Sequence, residues 1–200
     1  MIRVEDIAGD PAFRRLGTIA GIAHDLRYVG SNNFAGRSLY GDLDCAWLRA
    51  EAARGLEAAA AWLAAQRPGW QLLVLDALRP QRVQEAIWAD VAGTAAEMYF
   101  ADPGPGSIHS WGMAVDVTLL DAQGRELDMG SGFDEMTLAS HPALHAQHLA
   151  SGVLTRQHVQ HRETLRAAMA HGGFTGISTE WWHFDHGDRV HVRRDLPRIY

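Results

Sequence analysis

The sequence predicts an α+β fold, because helical and strand signals are mixed without the regular strand–helix–strand rhythm of a parallel-sheet protein. Three observations carry this. Over residues 46–66, Leu48, Ala52, Leu56, Ala59 and Leu63 recur at three- and four-residue steps, with Arg49, Glu51 and Arg54 elsewhere, which is the stripe of an amphipathic helix. Two short apolar runs, 71–77 and 113–120, are bounded by turn residues, as buried strands are. Between them, the Gly- and Pro-rich stretch 101–112 has the composition of a loop.

In chain order, Ile22, Leu26 and Tyr28 alternate with charged positions over 22–28 and predict a strand. Asn32, Asn33 and Gly36 then give a loop. Pro68 and Gly69 end the first helix, and strand 71–77 brings Arg79 to its far end. Pro80 opens a second helix, since proline suits a first helical turn. After strand 113–120, Asp121 to Gly124 reads as a hairpin turn. A helix spans 155–171 and is stopped by Gly172 and Gly173. The last strand, near 179–185, is dense in aromatics. No repeat or linker divides the chain, so residues 1–200 are expected to form one domain.

Composition narrows the function. Apolar residues make up 47% and charged residues 21%, which excludes a disordered chain. With 18 Lys and Arg against 24 Asp and Glu, and no basic run, no surface for nucleic acid is expected. Cys45 is the only cysteine, so no internal disulfide can form. No apolar stretch approaches the ~20 residues that span a bilayer. Acidic residues stand where a signal peptide needs basic ones. We therefore expect no membrane partner and a cytoplasmic location.

Two clusters carry candidate chemistry: residues 107–116, and Glu180 with Trp181, Trp182 and His183. A hydrolytic zinc site needs three protein ligands and an open fourth position for water. It also needs a carboxylate beside that water to move its proton. His109, Asp116 and His183 could supply the ligands and Glu180 the base. Taken alone, a His-x6-Asp pair or a Glu-x-x-His is common without metal, and the tryptophans read as core or pocket wall. Residues three apart lie on opposite faces of an ideal strand, so Glu180 must sit in a turn before the last strand or at a bulge. His186 or His191 could replace a ligand. His141, His145 and His148 have helical spacing and read as a polar helix face, while His158 and His161 show no carboxylate context.

The combination resembles a known family. Ser-x-His-x-x-Gly-x-Ala-x-Asp over 107–116, with a downstream Glu-x-x-His, is similar to the signature of the zinc D-Ala-D-Ala metallopeptidases. Segments 32–37, 76–80, 128–136 and 176–184 resemble, in order, motifs of the VanX-type dipeptidases, so the likeness covers roughly residues 20–185. One departure is Trp111, where the family often has Arg. The resemblance implies a central, mostly antiparallel sheet flanked by helices, with one zinc ion at the sheet's open face. By position it makes His109, Asp116 and His183 the zinc ligands and Glu180 the base. Arg79 becomes the stabiliser of the oxyanion, Asp134 the holder of the substrate's ammonium, and Ser107 a pocket residue. It further implies hydrolysis of a small D-configured dipeptide, D-Ala-D-Ala, to D-alanine. That activity would serve D-alanine recycling or deplete the wall precursor bound by vancomycin. The rivals are a DD-carboxypeptidase or endopeptidase acting on cell-wall peptides, and a zinc-binding domain without catalysis. The presence of Asp134 weighs against the first, and Glu180 with Arg79 against the second.

Overall fold

A computed structural model describes residues 1–200. The elements are β1 (Phe13–Arg15), β2 (Ile22–His24), β3 (Trp47–Arg49), α1 (Ala50–Gln66), β4 (Gln71–Asp76) and α2 (Gln81–Val91), followed by β5 (Ala114–Leu120), α3 (His145–Ser151), α4 (Arg156–His171), β6 (Phe174–Gly176), β7 (His183–His186) and α5 (Arg189–Asp195). Five strands form one sheet in the order β2-β4-β5-β7-β6. Only the β2–β4 pair is parallel; the other three pairs are antiparallel. The α+β expectation therefore holds, with a mostly antiparallel sheet. β1 and β3 pair separately.

The two apolar runs become the inner strands β4 and β5, and their side chains are buried along nearly the whole length. Such strands meet packing on both faces, which is why they read as continuous apolar runs rather than alternations. α1 buries the predicted stripe of Ala52, Leu56, Ala59 and Leu63. It packs against α4 and β4. α4 begins in a capping box, with the Thr155 side chain accepting from the His158 N–H and the His158 ring accepting from the Thr155 N–H. A smaller apolar group of Val4, Ile7, Phe13, Leu78 and Ile199 ties both ends of the chain to the segment after β4. No helix is long and apolar enough to cross a membrane.

Three boundaries differ from the sequence expectation. The first helix starts at Ala50 rather than 46, because Trp47–Arg49 pair with β1. β2 ends at His24, yet the N–H groups of Asp25 and Arg27 still donate to the carbonyls of Val74 and Leu75, so the chain continues along β4 without a regular ladder. The last strand starts at His183, leaving Glu180 in the turn before it. That placement removes the conflict between a three-residue spacing and strand alternation.

Candidate metal centre and cavity

Asp116 on β5 pairs directly with His183 on β7. Paired residues project from the same face of a sheet, so one register fixes two of the candidate ligands. Phe184, the next residue on β7, shares a cavity with Ala170 and Arg166 of α4, so His183 and Asp116 take the face away from α4. His109 arrives differently. It lies in a 3-10 turn, Ile108–Trp111, which ends at Gly112 in a left-handed conformation of φ 68°. A side chain there would meet the Arg49 backbone N at 3.2 Å, so the chain needs glycine to re-enter β5.

The three side chains converge. His109 Nε2 lies 3.1 Å from His183 Nδ1 and 3.3 Å from Asp116 Oδ1, and His183 Nδ1 lies 3.1 Å from Asp116 Oδ1. Each ligand has an outer partner. His109 Nδ1 donates to the Ala77 carbonyl at 2.6 Å, and His183 Nε2 to Asp185 Oδ1 at 2.9 Å. Those bonds place the ring protons on the outer nitrogens and turn the inner lone pairs toward Asp116. Two lone pairs and a carboxylate oxygen then face one another with no donor between them. Such a buried cluster requires a cation. Four-coordinate bonds of about 2.0–2.1 Å imply ligand separations of roughly 3.3 Å, close to those found, so the donor set fits a small tetrahedral ion. Without a metal, a proton fills the role. Burial alone would lower the His183 pKa, but Asp185 and Asp116 raise it well above the ordinary histidine range.

A cavity of about 330 Å³ opens on this triad. Its wall includes Arg79, Ser107, Asp134 and Glu180, so every candidate site residue named from the sequence reaches one space. Arg79 is buried, with Nε and Nη2 on Asp76 Oδ2 at 3.0 and 2.7 Å, Nη1 on Gln84 Oε1 at 3.1 Å, and Nη2 also 3.4 Å from Asp116 Oδ2. Its guanidinium stacks over Tyr28. A register shift between Val74 and Asp76 brings Asp76 opposite Asp116, the re-aiming that a bulge performs. Tyr40 closes the network by donating to Asp76 Oδ1.

The two remaining carboxyls are tuned by burial. Desolvation pushes Glu180 up to about 7, against the pull of His183. Desolvation, then the charge of Asp116, pushes Asp134 up to about 8. Asp134 holds a left-handed backbone of φ 57°, and its carboxyl accepts from the Phe34 N–H at 3.3 Å and the Tyr28 hydroxyl at 3.5 Å.

The competing histidines are engaged elsewhere. His148 Nε2 bonds the Leu138 carbonyl, and His141 Nε2 lies 3.3 Å from the Tyr99 hydroxyl. His186 packs against Phe174. His158 does have a carboxylate partner, Asp128 Oδ2 at 3.2 Å, which the sequence did not suggest. Trp111 is turned out of the cavity wall: its Nε1 donates to the Leu196 carbonyl and its ring lies under Arg198. Sequence reasoning missed Asp76, Asp185 and Tyr28. Asp185 was within reach, since i and i+2 on a strand share a face.

The chain is similar to known proteins over most of its length. A family model described as D-ala-D-ala dipeptidase matches residues 15–199. A protein of Escherichia coli (strain K12) named D-alanyl-D-alanine dipeptidase is 39% identical over 161 residues, covering 80% of this chain and 77% of that one. Proteins of the same name from Synechocystis and Streptomyces coelicolor are each 30% identical, covering 84% and 86% of this chain and 77% and 90% of their own lengths.

Proposed function

This chain belongs to the D-ala-D-ala dipeptidase family, a family of peptidases and so of hydrolases, and from that premise we propose that it hydrolyses free D-Ala-D-Ala to two molecules of D-alanine. We assign one zinc ion to His109, Asp116 and His183, with residues 1–200 acting as a single catalytic domain. The observation that carries the reading is the convergence of three inward-facing acceptors at 3.1 to 3.3 Å, each held by an outer partner or by sheet register. Two imidazoles and one carboxylate are a donor set that suits zinc and leaves a fourth position open. A zinc ion bound there polarises a carbonyl and makes water a usable nucleophile near neutral pH.

The chain's own groups supply the rest. Glu180 accepts the proton of the attacking water as its oxygen bonds to the peptide carbon. It then delivers that proton to the leaving amine as the C–N bond breaks. A carboxyl pushed up to about 7 suits both halves of that task. Arg79, fixed by Asp76 and Gln84, presents a permanent cation to the carbonyl oxygen as charge develops on it. Asp134 receives the substrate's free ammonium. An arriving ammonium stabilises the ionised carboxylate that burial otherwise disfavours, so the pocket favours a peptide with a free amino end. The small cavity agrees with a dipeptide rather than a longer chain.

Release of D-alanine from D-Ala-D-Ala, compared with L-Ala-L-Ala and an amino-blocked tripeptide, tests the reading. We expect turnover of the first alone; equal turnover of the blocked peptide would replace the dipeptidase with a carboxypeptidase. Glu180→Gln should keep its zinc and lose about 10²- to 10⁴-fold in kcat. Full activity in that variant would remove Glu180 as the base.

A further inference from the structure

A free dipeptide is a zwitterion, so selecting it requires a cation for the carboxylate as well as an anion for the ammonium. We propose that Arg193 on α5, beside Arg189, anchors the terminal carboxylate of the substrate; this rests on the dipeptidase reading above.

Three arginines line the cavity, and two already hold a carboxylate. Arg79 is bound to Asp76, and Arg189 donates from both Nε and Nη2 to Asp185, the carboxylate that orients His183. Arg193 has no carboxylate partner. Its hydrogen bond runs from Nη2 to the Gly106 carbonyl at 2.9 Å, which leaves most of the guanidinium's donors free. Its charge is also felt nearby, since burial and then Arg193 lower the pKa of Arg198. Arg198 itself is spent on the carbonyls of Pro103, Gly104 and Pro105 and on the Trp111 ring, so it braces the loop.

Arg193 is well placed for this task. α5 packs on the 3-10 turn that carries His109, and Asp188 caps its first turn by accepting from the Val190 and His191 N–H groups. The Gly106 carbonyl it holds immediately precedes Ser107 on the cavity wall. Asp134 is held by a different segment of the chain, through Tyr28 and Phe34. The cavity therefore carries an acid and a cation without a carboxylate partner, held by different segments of the chain, with the triad also facing it. A dipeptide with its ammonium at Asp134 and its carboxylate at Arg193 would lie in the same cavity that the triad faces. Guanidinium also suits a carboxylate geometrically, because two parallel N–H groups can meet two oxygens.

The test compares D-Ala-D-Ala with its C-terminal amide in the zinc-loaded protein and in Arg193→Met and Arg193→Lys variants. Arg193→Met should raise KM for the dipeptide about tenfold with kcat within about twofold. It should leave KM for the amide unchanged, and Arg193→Lys should recover part of the loss. Arg193 is exposed, so an unchanged Tm is expected for both variants. Calorimetric binding of D-Ala-D-Ala to zinc-loaded Glu180→Gln, with and without Arg193→Met, should show the same tenfold weakening without turnover. Equal effects on dipeptide and amide, or no effect on either, would overturn the assignment. A wild-type protein that binds the dipeptide through Arg193 but does not cleave it would overturn the dipeptidase reading and leave the anchor standing.

Discussion

At the scale of single residues, Asp134 shows how a binding group can cost stability. Its folded pKa of about 8 lies above the roughly 3.9 of an exposed aspartate. The folded state therefore prefers the protonated form. The stability this group contributes is present below about pH 4 and is lost as pH rises through 8. Asn cannot ionise, keeps an acceptor for the Phe34 N–H, and tolerates the left-handed backbone. We predict that Asp134→Asn melts higher than wild type, by a margin that grows between pH 4 and pH 8 and is flat above, while KM for the dipeptide rises. A melting difference independent of pH would remove burial as the cause. The sequence showed the carboxyl but not its burden, because the shift comes from burial and then from the charge of Asp116, both brought about by segments remote in the chain.

At the scale of elements, the α1–α4 contact depends on two glycines. A Cβ on Gly55 would lie 2.4 Å from the Gly172 carbonyl oxygen, and one on Gly172 would lie 2.2 Å from that of Gly55. Both obstacles are backbone and cannot rotate away. Elsewhere in a helix interior, Gly→Ala is stabilising by up to about 1 kcal/mol. Here the clash reverses the sign. Gly55→Ala should destabilise by about 1–3 kcal/mol in urea unfolding, the range for overpacking; a stabilised variant would mean the helices can part freely. The stripe of α1 was legible from its period, whereas Gly55 sits inside that pattern with no local mark of the partner helix. β3 was hidden in the same way, since its three residues form a strand only because β1 lies alongside.

For the whole molecule, the metal centre joins the sheet to the segments that flank it. β5 brings Asp116, β7 brings His183, and the turn before β5 brings His109, whose other nitrogen reaches back to Ala77 after β4. An ion bound only by the folded form should stabilise all of these together. Zinc at about a hundred times its dissociation constant should add about 2.7 kcal/mol, read as a rise in Tm that a chelator reverses. The raised His183 pKa sets the pH dependence, because the metal must displace a proton. The zinc-induced rise should shrink as pH falls. A Tm indifferent to zinc would show that the three ligands do not act as one site.

The chain alone determined the fold class, the inner strands and the helical stripe of α1, and motifs resembling a family nominated seven residues that the fold brings to one cavity. Those features are written in local periodicity and in short motifs whose members lie within a few positions of one another. Tertiary structure decided what each group faces: which nitrogen of each histidine points inward, that Glu180 lies before β7, that Asp76 and Asp185 fix Arg79 and His183, and that Arg193 remains unpaired. Hydrogen bonds, burial and charge act through space over a few ångströms, and residues that close are here often a hundred positions apart in the chain.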